Sequence, residues 1–284
     1  MGASKPIVLQ SAANPTIRHL VRMRDNRARR KAGRVIVDGW RETRHAVEAG
    51  LPLLGLYVAE TSADPRQSSD PATRQICLAA DSAGQLHWVS ESIMQKIAYG
   101  QSPRGVVAEL EPREQGLSDL QLPADPLVMI LDRIEKPGNL GAVFRCADAV
   151  GVDAVLLCES GDLWNPNAIR SSQGAVFHVK NARGSQAEIA KCLEAHSMRL
   201  LAARVESSNP LWQASLQGAV AILLGSEATG LGDRWQRVSG KPVEGIQIPM
   251  SGTVDSLNVS VSAAVILYEA IRQRCPANHC QANH

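Results

Sequence analysis

A chain of 284 residues, 44% apolar and 20% charged, is long enough for one large or two ordinary domains with buried cores. Its formal net charge of +2 excludes a polycation, so the placement of charge matters more than its total. No apolar run of about 18 residues predicts a membrane span, and the start MGASKPIVLQ lacks the charged opening and apolar core of a signal peptide. Six scattered cysteines form no dense disulfide framework, so the expectation is a reduced, cytoplasmic protein.

Taken in chain order, residues 18–34 hold Arg18, Arg22, Arg24, Arg27, Arg29, Arg30, Lys31 and Arg34 against one acid, Asp25. Such a block is either a solvated helix face or a contact for a polyanion such as RNA, and the second reading is favoured. The next segments alternate: RVIVDG (34–39) reads as strand, WRETRHAVEAG (40–50) as a helix closed by Gly50, and LLGLYVAE (53–60) as strand. A polar stretch follows, read as loop with at most a short helix after Pro71. Then come strand 85–90, helix 91–100 and strand 105–110, which together predict a small α/β layer domain. Polar, proline-bearing and aperiodic, EPREQGLSDLQLPADP (111–126) reads as linker.

The pattern then restarts. LVMILD (127–132) is a nearly continuous apolar run, as a buried parallel strand would be. NLGAVFRCADAVG (139–151) reads as a helix closing on Gly151, AVLLCES (154–160) as strand and NPNAIRSSQG (165–174) as a short helix. RLLAARV (199–205), VAILLGSE (220–227) and GIQIPM (245–250) are further strands, and an apolar helix runs from Val259 to Ile271. The expectation is an α/β domain with a mainly parallel sheet, whose ligands sit at the carboxyl ends of the strands. Three polar, glycine-bearing turns fall at such ends: DRIEKPGNLG, GSEATGLG and SGTVDSLN. The final CPANHCQANH is a near-repeat with Cys and His at ligand-like spacing, but without a framework around it a disordered tail is preferred over a zinc site.

The turns fit no common nucleotide or hydrolase motif. Gly225, Gly230 and Gly232 do not keep the dinucleotide-binding spacing, no Lys-Ser/Thr pair marks a phosphate-binding loop, and no nucleophile elbow occurs. A classical Rossmann methyltransferase is disfavoured by the missing early glycine-rich turn. Together, however, PGNLGAVFRCADAVG with Asn139 and Arg145, LLGSEATGL with Glu227, and IPMSGTVDSLNVSVSAA with Ser256 and Asn258 resemble the three motifs of the SpoU/TrmH family of RNA ribose 2′-O-methyltransferases, in the SPOUT superfamily. The likeness extends over 127–274 and includes NPNAIRSSQGA. The N-terminal half looks like the L30e-like substrate-binding domain of rRNA-directed members.

The resemblance implies S-adenosylmethionine as methyl donor, a homodimer through the C-terminal domain, and a trefoil knot, a rare exception to unknotted chains. It divides the chain into an RNA substrate-binding domain (1–111), a linker (112–126), a catalytic domain (127–274) and the tail (275–284). The family-matched cofactor positions are Gly225, Ile248, Met250 and Leu257. Glycine permits close backbone approach and the apolar three flank an adenine, although apart from the resemblance those three read as ordinary core. Asn139, Ser256 and Asn258 are expected to fix loops and hold the ribose hydroxyl; Ser256 and Asn258 also suit a helix cap. Glu227 is either a substrate contact or a brace for its loop.

In the family the arginine matching Arg145 has been proposed as the base that deprotonates the hydroxyl, helped by an RNA phosphate. A pKa above about 12 makes arginine a poor base, so clamping the phosphate beside the ribose and stabilising the developing oxyanion is the role preferred here. Arg18, Arg22, Arg29, Arg30 and Arg34 are the expected RNA contacts of the front domain, with Arg170 and Ser171 as further ones. No metal is expected, since a sulfonium methyl is already activated. The substrate expected is 23S rRNA; a tRNA-directed enzyme and a catalytically silent RNA-binding protein are the alternatives.

Overall fold

The computed structural model describes residues 7–100, 104–113, 115–207, 209–227 and 229–275. Two compact units emerge, one made by the chain up to Arg113 with Asp162–Phe177, the other by Glu114–Gly161 and the chain from His178 onward. The first unit begins with β1 (Val8–Leu9), α1 (Pro15–Arg22), α2 (Asn26–Ala32), β2 (Val35–Asp38) and α3 (Trp40–Glu48). It continues with β3 (Leu53–Ala59), α4 (Pro71–Ser82), β4 (Leu86–Val89), α5 (Glu91–Ile97) and β5 (Val106–Leu110). The sheet order is β1-β4-β3-β5-β2, with β4 parallel to β1 and β3, and β5 antiparallel to β3 and β2.

Local chemistry explains the ends. Asn14 and Asp25 cap α1 and α2 by accepting from Thr16 N at 2.9 Å and Ala28 N at 2.8 Å, and Gly33, at φ +59°, closes α2. Residues 71–82, where the sequence suggests little helix, form the full α4: Asp70 accepts from both Thr73 N and Thr73 Oγ1, and Pro71 occupies the first turn. The apolar stripes of α1 and α5 (Ile17, Leu20, Ile93, Met94, Ile97) close over Tyr57 and Val107 of the sheet.

In the second unit come β6 (Leu127–Asp132), α6 (Pro137–Val150) and β7 (Ala154–Cys158). The chain then gives α7 (Pro166–Ser172), which lies in the first unit, and the short α8 (Ala175–His178). Next are β8 (Asn181–Gly184), α9 (Gln186–Ala195), β9 (Arg199–Ala203), β10 (Val220–Leu224), a ribbon of β11 (Arg237–Val238) and β12 (Lys241–Pro242), β13 (Glu244–Ile246) and α10 (Val259–Arg274). The sheet is six-stranded in the order β13-β9-β10-β6-β7-β8, every pair parallel. Every residue of β6, β7 and β10 is buried, which is why these strands read as unbroken apolar runs.

From β6 the chain steps outward through β7 and β8, then crosses to β9 and inserts β10 between β9 and β6. That reversal between β6 and β10 makes the topological switch point at which open α/β sheets bind ligands. The segment read as linker is not a free tether: Leu120 is buried in the second unit's core, and Leu117 and Leu122 pack against it. No helix among the described residues is long and apolar enough to cross a membrane. The Cys/His tail beyond Cys275 lies outside the described residues.

Candidate active site

At the carboxyl ends of β9, β10 and β13 a cavity of about 590 Å³ opens, walled by Ala203, Leu224 and Ile246 from the strand ends. That size suits a small-molecule or cofactor site. The loops after β10 and β13 complete it and bring Gly225, Ile248, Met250 and Leu257 together on its wall, with Glu227, Ser256 and Asn258 lining the same space. An apolar slot of Leu224, Leu231, Ile246, Ile248, Met250 and Leu257 beside polar Glu206, Asp255 and Ser256 fits a cofactor with one flat aromatic end and one charged end.

Gly225 has a steric reason to be glycine. A Cβ there would lie 2.6 Å from the carbonyl carbon of Gly230 and 2.7 Å from Leu231 N, both backbone. The loop doubles back at that point, with Gly230 N donating to Ser226 O at 2.8 Å. Its far end is tied down by Arg204, which donates to the carbonyls of Gly232 at 2.8 Å and Arg234 at 2.6 Å.

The polar motif residues form one hydrogen-bonded chain. Lys136 Nζ lies 2.7 Å from Glu227 Oε2, while the other oxygen of Glu227 accepts from Asn139 Nδ2. Asn139 Oδ1 in turn accepts from Asn258 Nδ2 at 3.2 Å. Asn258 Oδ1 accepts from Ser260 N at 2.9 Å and Ser260 Oγ at 2.7 Å, which caps α10. Burial pushes the Glu227 carboxyl up, but Lys136 and Asn139 outweigh it and hold the group below its ordinary value. Glu227 therefore stays an acceptor on both oxygens, and this fixes which way the Asn139 amide points. The side chain of Glu227 is only 19% exposed, whereas that of Lys136 is 73% exposed.

Arg145 stands apart from this chain. It is exposed on α6, six residues beyond Asn139 and on another face, and it does not line the cavity. Lys136 and Arg204 are functional neighbours that sequence reasoning missed. Lys136 was visible in the first motif, immediately before Pro137; no sequence signal marks Arg204, whose partners lie 28 and 30 residues away.

In the first unit the arginines expected to meet RNA separate into kinds. Arg18, Arg22 and Arg30 are exposed on α1 and α2. Arg29 is not available: its side chain is 1% exposed, pairs with Asp162 at 2.6 Å, and donates to Met23 O and Asn26 Oδ1. The expectation that it contacts RNA is corrected, because the guanidinium is itself buried and Asp162 supplies the partner that a buried charge demands. Arg34 is half-buried against the carbonyls of Ala32 and Gly33 and the carboxylate of Glu109. Arg170 is half-buried on Asp38 and Tyr99 O, and Ser171 Oγ donates to Ala168 O.

The profile of the SpoU rRNA methylase family matches residues 126–268, and that of the MRM3-like substrate binding domain matches residues 14–108. The chain belongs to the SpoU rRNA methylase family. A 23S rRNA (uridine(2479)-2′-O)-methyltransferase of Streptomyces viridochromogenes is 28% identical over 87% of this chain and 85% of its own. The crystal structure of an RNA 2′-O ribose methyltransferase, 35% identical, covers 94% of this chain and 99% of its own with a TM-score of 0.79. The SpoU methyltransferase AviRb from Streptomyces viridochromogenes, in complex with AdoMet, is 25% identical, covering 92% of this chain and 98% of its own at a TM-score of 0.77.

Proposed function

We propose that this member of the SpoU family, an RNA ribose 2′-O-methyltransferase using S-adenosylmethionine, acts on 23S rRNA. The observation that carries the reading is the directed chain Lys136–Glu227–Asn139–Asn258 along the rim of a cofactor-sized cavity. S-adenosylmethionine, when bound, supplies a methyl group already activated as a sulfonium, so the protein's work is positioning and the handling of one proton. Leu224, Ile246, Ile248, Met250 and Leu257 would hold its adenine, and Gly225 lets backbone approach closely. Asn139 and Asn258, with Ser256 beside them, present fixed polar groups to the ribose hydroxyl. Arg145 clamps the neighbouring phosphate and stabilises the alkoxide as it develops.

The first unit, matched by a substrate-binding profile, selects the RNA and has the L30e-like fold. The loops after β10 and β13 form the trefoil knot of the SPOUT fold, a reading supported by their walling one cavity. The homodimer forms through α6 and α10; Val261 and Tyr268 of α10, seven residues apart and 46% and 59% exposed, support an apolar contact there. The protein works in the cytoplasm, where ribosomal RNA is found. Mapping ribose methylation in total RNA from cells with and without the gene tests the substrate: one 23S site should lose its methyl group, whereas loss at a tRNA site alone would overturn the assignment.

A further inference from the structure

The basic block on α1 and α2 does not exhaust the cations of the first unit. At the end of β2 and in the first turn of α3, Asp38 and Glu42 have side chains only 5% and 2% exposed, yet both meet arginines that reach the surface. Glu42 accepts from Arg41 Nη2 on one oxygen and from Arg104 Nη1 on the other, each at 3.0 Å. Asp38 Oδ2 accepts from Arg170 Nη2 and from Tyr99 N, both at 3.1 Å, and Arg170 Nη2 also donates to Tyr99 O at 2.9 Å. The Tyr99 ring holds the guanidinium of Arg24 at 5.9 Å from its centroid. These contacts form two groups, Arg41 and Arg104 on Glu42, and Arg170, Tyr99 and Arg24 about Asp38; the charge of Arg104 also acts on the Asp38 carboxylate, so the two adjoin as one strip.

Two glycines make room for it. Gly39, at φ +112°, would place a Cβ 2.9 Å from Arg104 Cδ and 3.0 Å from Glu42 Oε2. Gly100, at φ +123°, would place one 2.8 Å from Arg170 Nη1. Neutralising two buried acids explains one arginine for each, Arg170 for Asp38 and Arg104 for Glu42. It does not explain Arg41 and Arg24, nor why Arg41, Arg104 and Arg170 keep 45%, 40% and 35% of their side chains exposed. The carboxylates lie beneath and the guanidiniums above, so the surface presented is cationic. Each of the hydrogen bonds above engages a single nitrogen of a five-donor fork. Guanidinium forks held in place from below lose little freedom on meeting a phosphate, and an aromatic ring among them offers a stacking face.

We propose that this strip is a track for the sugar–phosphate backbone of a single RNA strand, a reading that rests on the protein being an RNA methyltransferase. The variant R24Q/R41Q tests it, because Asp38 and Glu42 keep Arg170 and Arg104 and the fold is spared. Binding of an in vitro transcript of 23S rRNA is measured from low to physiological salt, with S-adenosylmethionine affinity and Tm as folding controls. Losing two phosphate contacts should reduce the slope of log Kd against log salt by about 1.4, at about 0.7 for each single-strand contact. Replacing Tyr99 by Leu should weaken binding at every salt concentration and leave the slope unchanged. A native-like slope for R24Q/R41Q, in a protein that binds the transcript, overturns the track alone. Failure of the native protein to bind the transcript at any salt overturns the rRNA reading beneath it.

Discussion

The two units deploy their polar groups differently, although each buries an acid against arginine, as Asp132 of β6 against Arg133 and Arg234 in the second unit. In the second unit, polar side chains from the loop after β10 and from the starts of α6 and α10 satisfy one another sideways, from Lys136 through Glu227 and Asn139 to Asn258. In the first unit, buried acids lie beneath arginines that reach the surface, Asp38 under Arg170 and Glu42 under Arg104, while Arg29 is itself buried against Asp162. The first arrangement uses one ion pair, Lys136 with Glu227, to orient amide donors and acceptors beside a cavity. The second holds cations rigidly without letting the molecule become a polycation. Orientation serves chemistry, whereas anchored charge serves grip.

Substitutions can break that contrast at either end. The largest effect is expected at Arg29, where Ala leaves the Asp162 carboxylate buried without its guanidinium. Stability should fall by about 3–5 kcal/mol. In the same denaturant titration, Arg18→Ala and Arg22→Ala should leave stability nearly unchanged and weaken RNA binding instead. Next comes Arg145→Ala. A group that stabilises developing charge should cost roughly 10²–10³-fold in kcat when removed, and a clamp should also loosen RNA binding. Lost turnover with undiminished RNA affinity would argue against the clamp.

Gly225→Ala drives a Cβ into the backbone of Gly230 and Leu231, so the cofactor loop must shift at a cost of about 1–3 kcal/mol. Calorimetry should show the loss in S-adenosylmethionine affinity; an unchanged Kd would mean that the loop does not shape the cofactor site. Asn258→Ala removes a helix cap worth about 1 kcal/mol along with the partner of Asn139. Its Tm should drop modestly, and kcat more than that drop explains.

The smallest effect belongs to Glu269 on α10, whose carboxyl Arg272, against burial and helped by Gln273, holds down to about 2. A lowered value contributes stability that is complete above the ordinary 4.5 and is lost as pH falls toward 2. Glu269→Gln should therefore lower Tm at pH 7, and the gap from the native protein should close on acidification between those values. A gap that does not depend on pH would exclude the ion pair as its source.

Much of this was legible in the chain alone. The unbroken apolar runs at 127–132 and 220–224 announce strands buried on both faces, and glycines after them announce loops at strand ends, because periodicity and turn chemistry are local. Gly225, Ile248, Met250 and Leu257, far apart in sequence, could be named together only through a family resemblance. The structure brings them to one wall.

Local pattern is silent on partners. An arginine in a basic helix looks the same whether it meets water or a carboxylate 133 residues away, so Arg29 reads like Arg18 and Arg30 until the fold places Asp162 against it. The extent of α4 was understated for a different reason: the polar, proline-bearing stretch before it obscures a start signal at Asp70 and Pro71, and only the burial of Ile76, Cys77 and Ala80 shows how far its packed face runs. Composition, strand and helix order, and the three polar turns were determined by the sequence itself. Which acid neutralises which base, which amide faces which carboxylate, and which residues share a cavity were decided only by tertiary structure, since burial and electrostatic pairing are properties of distance in space.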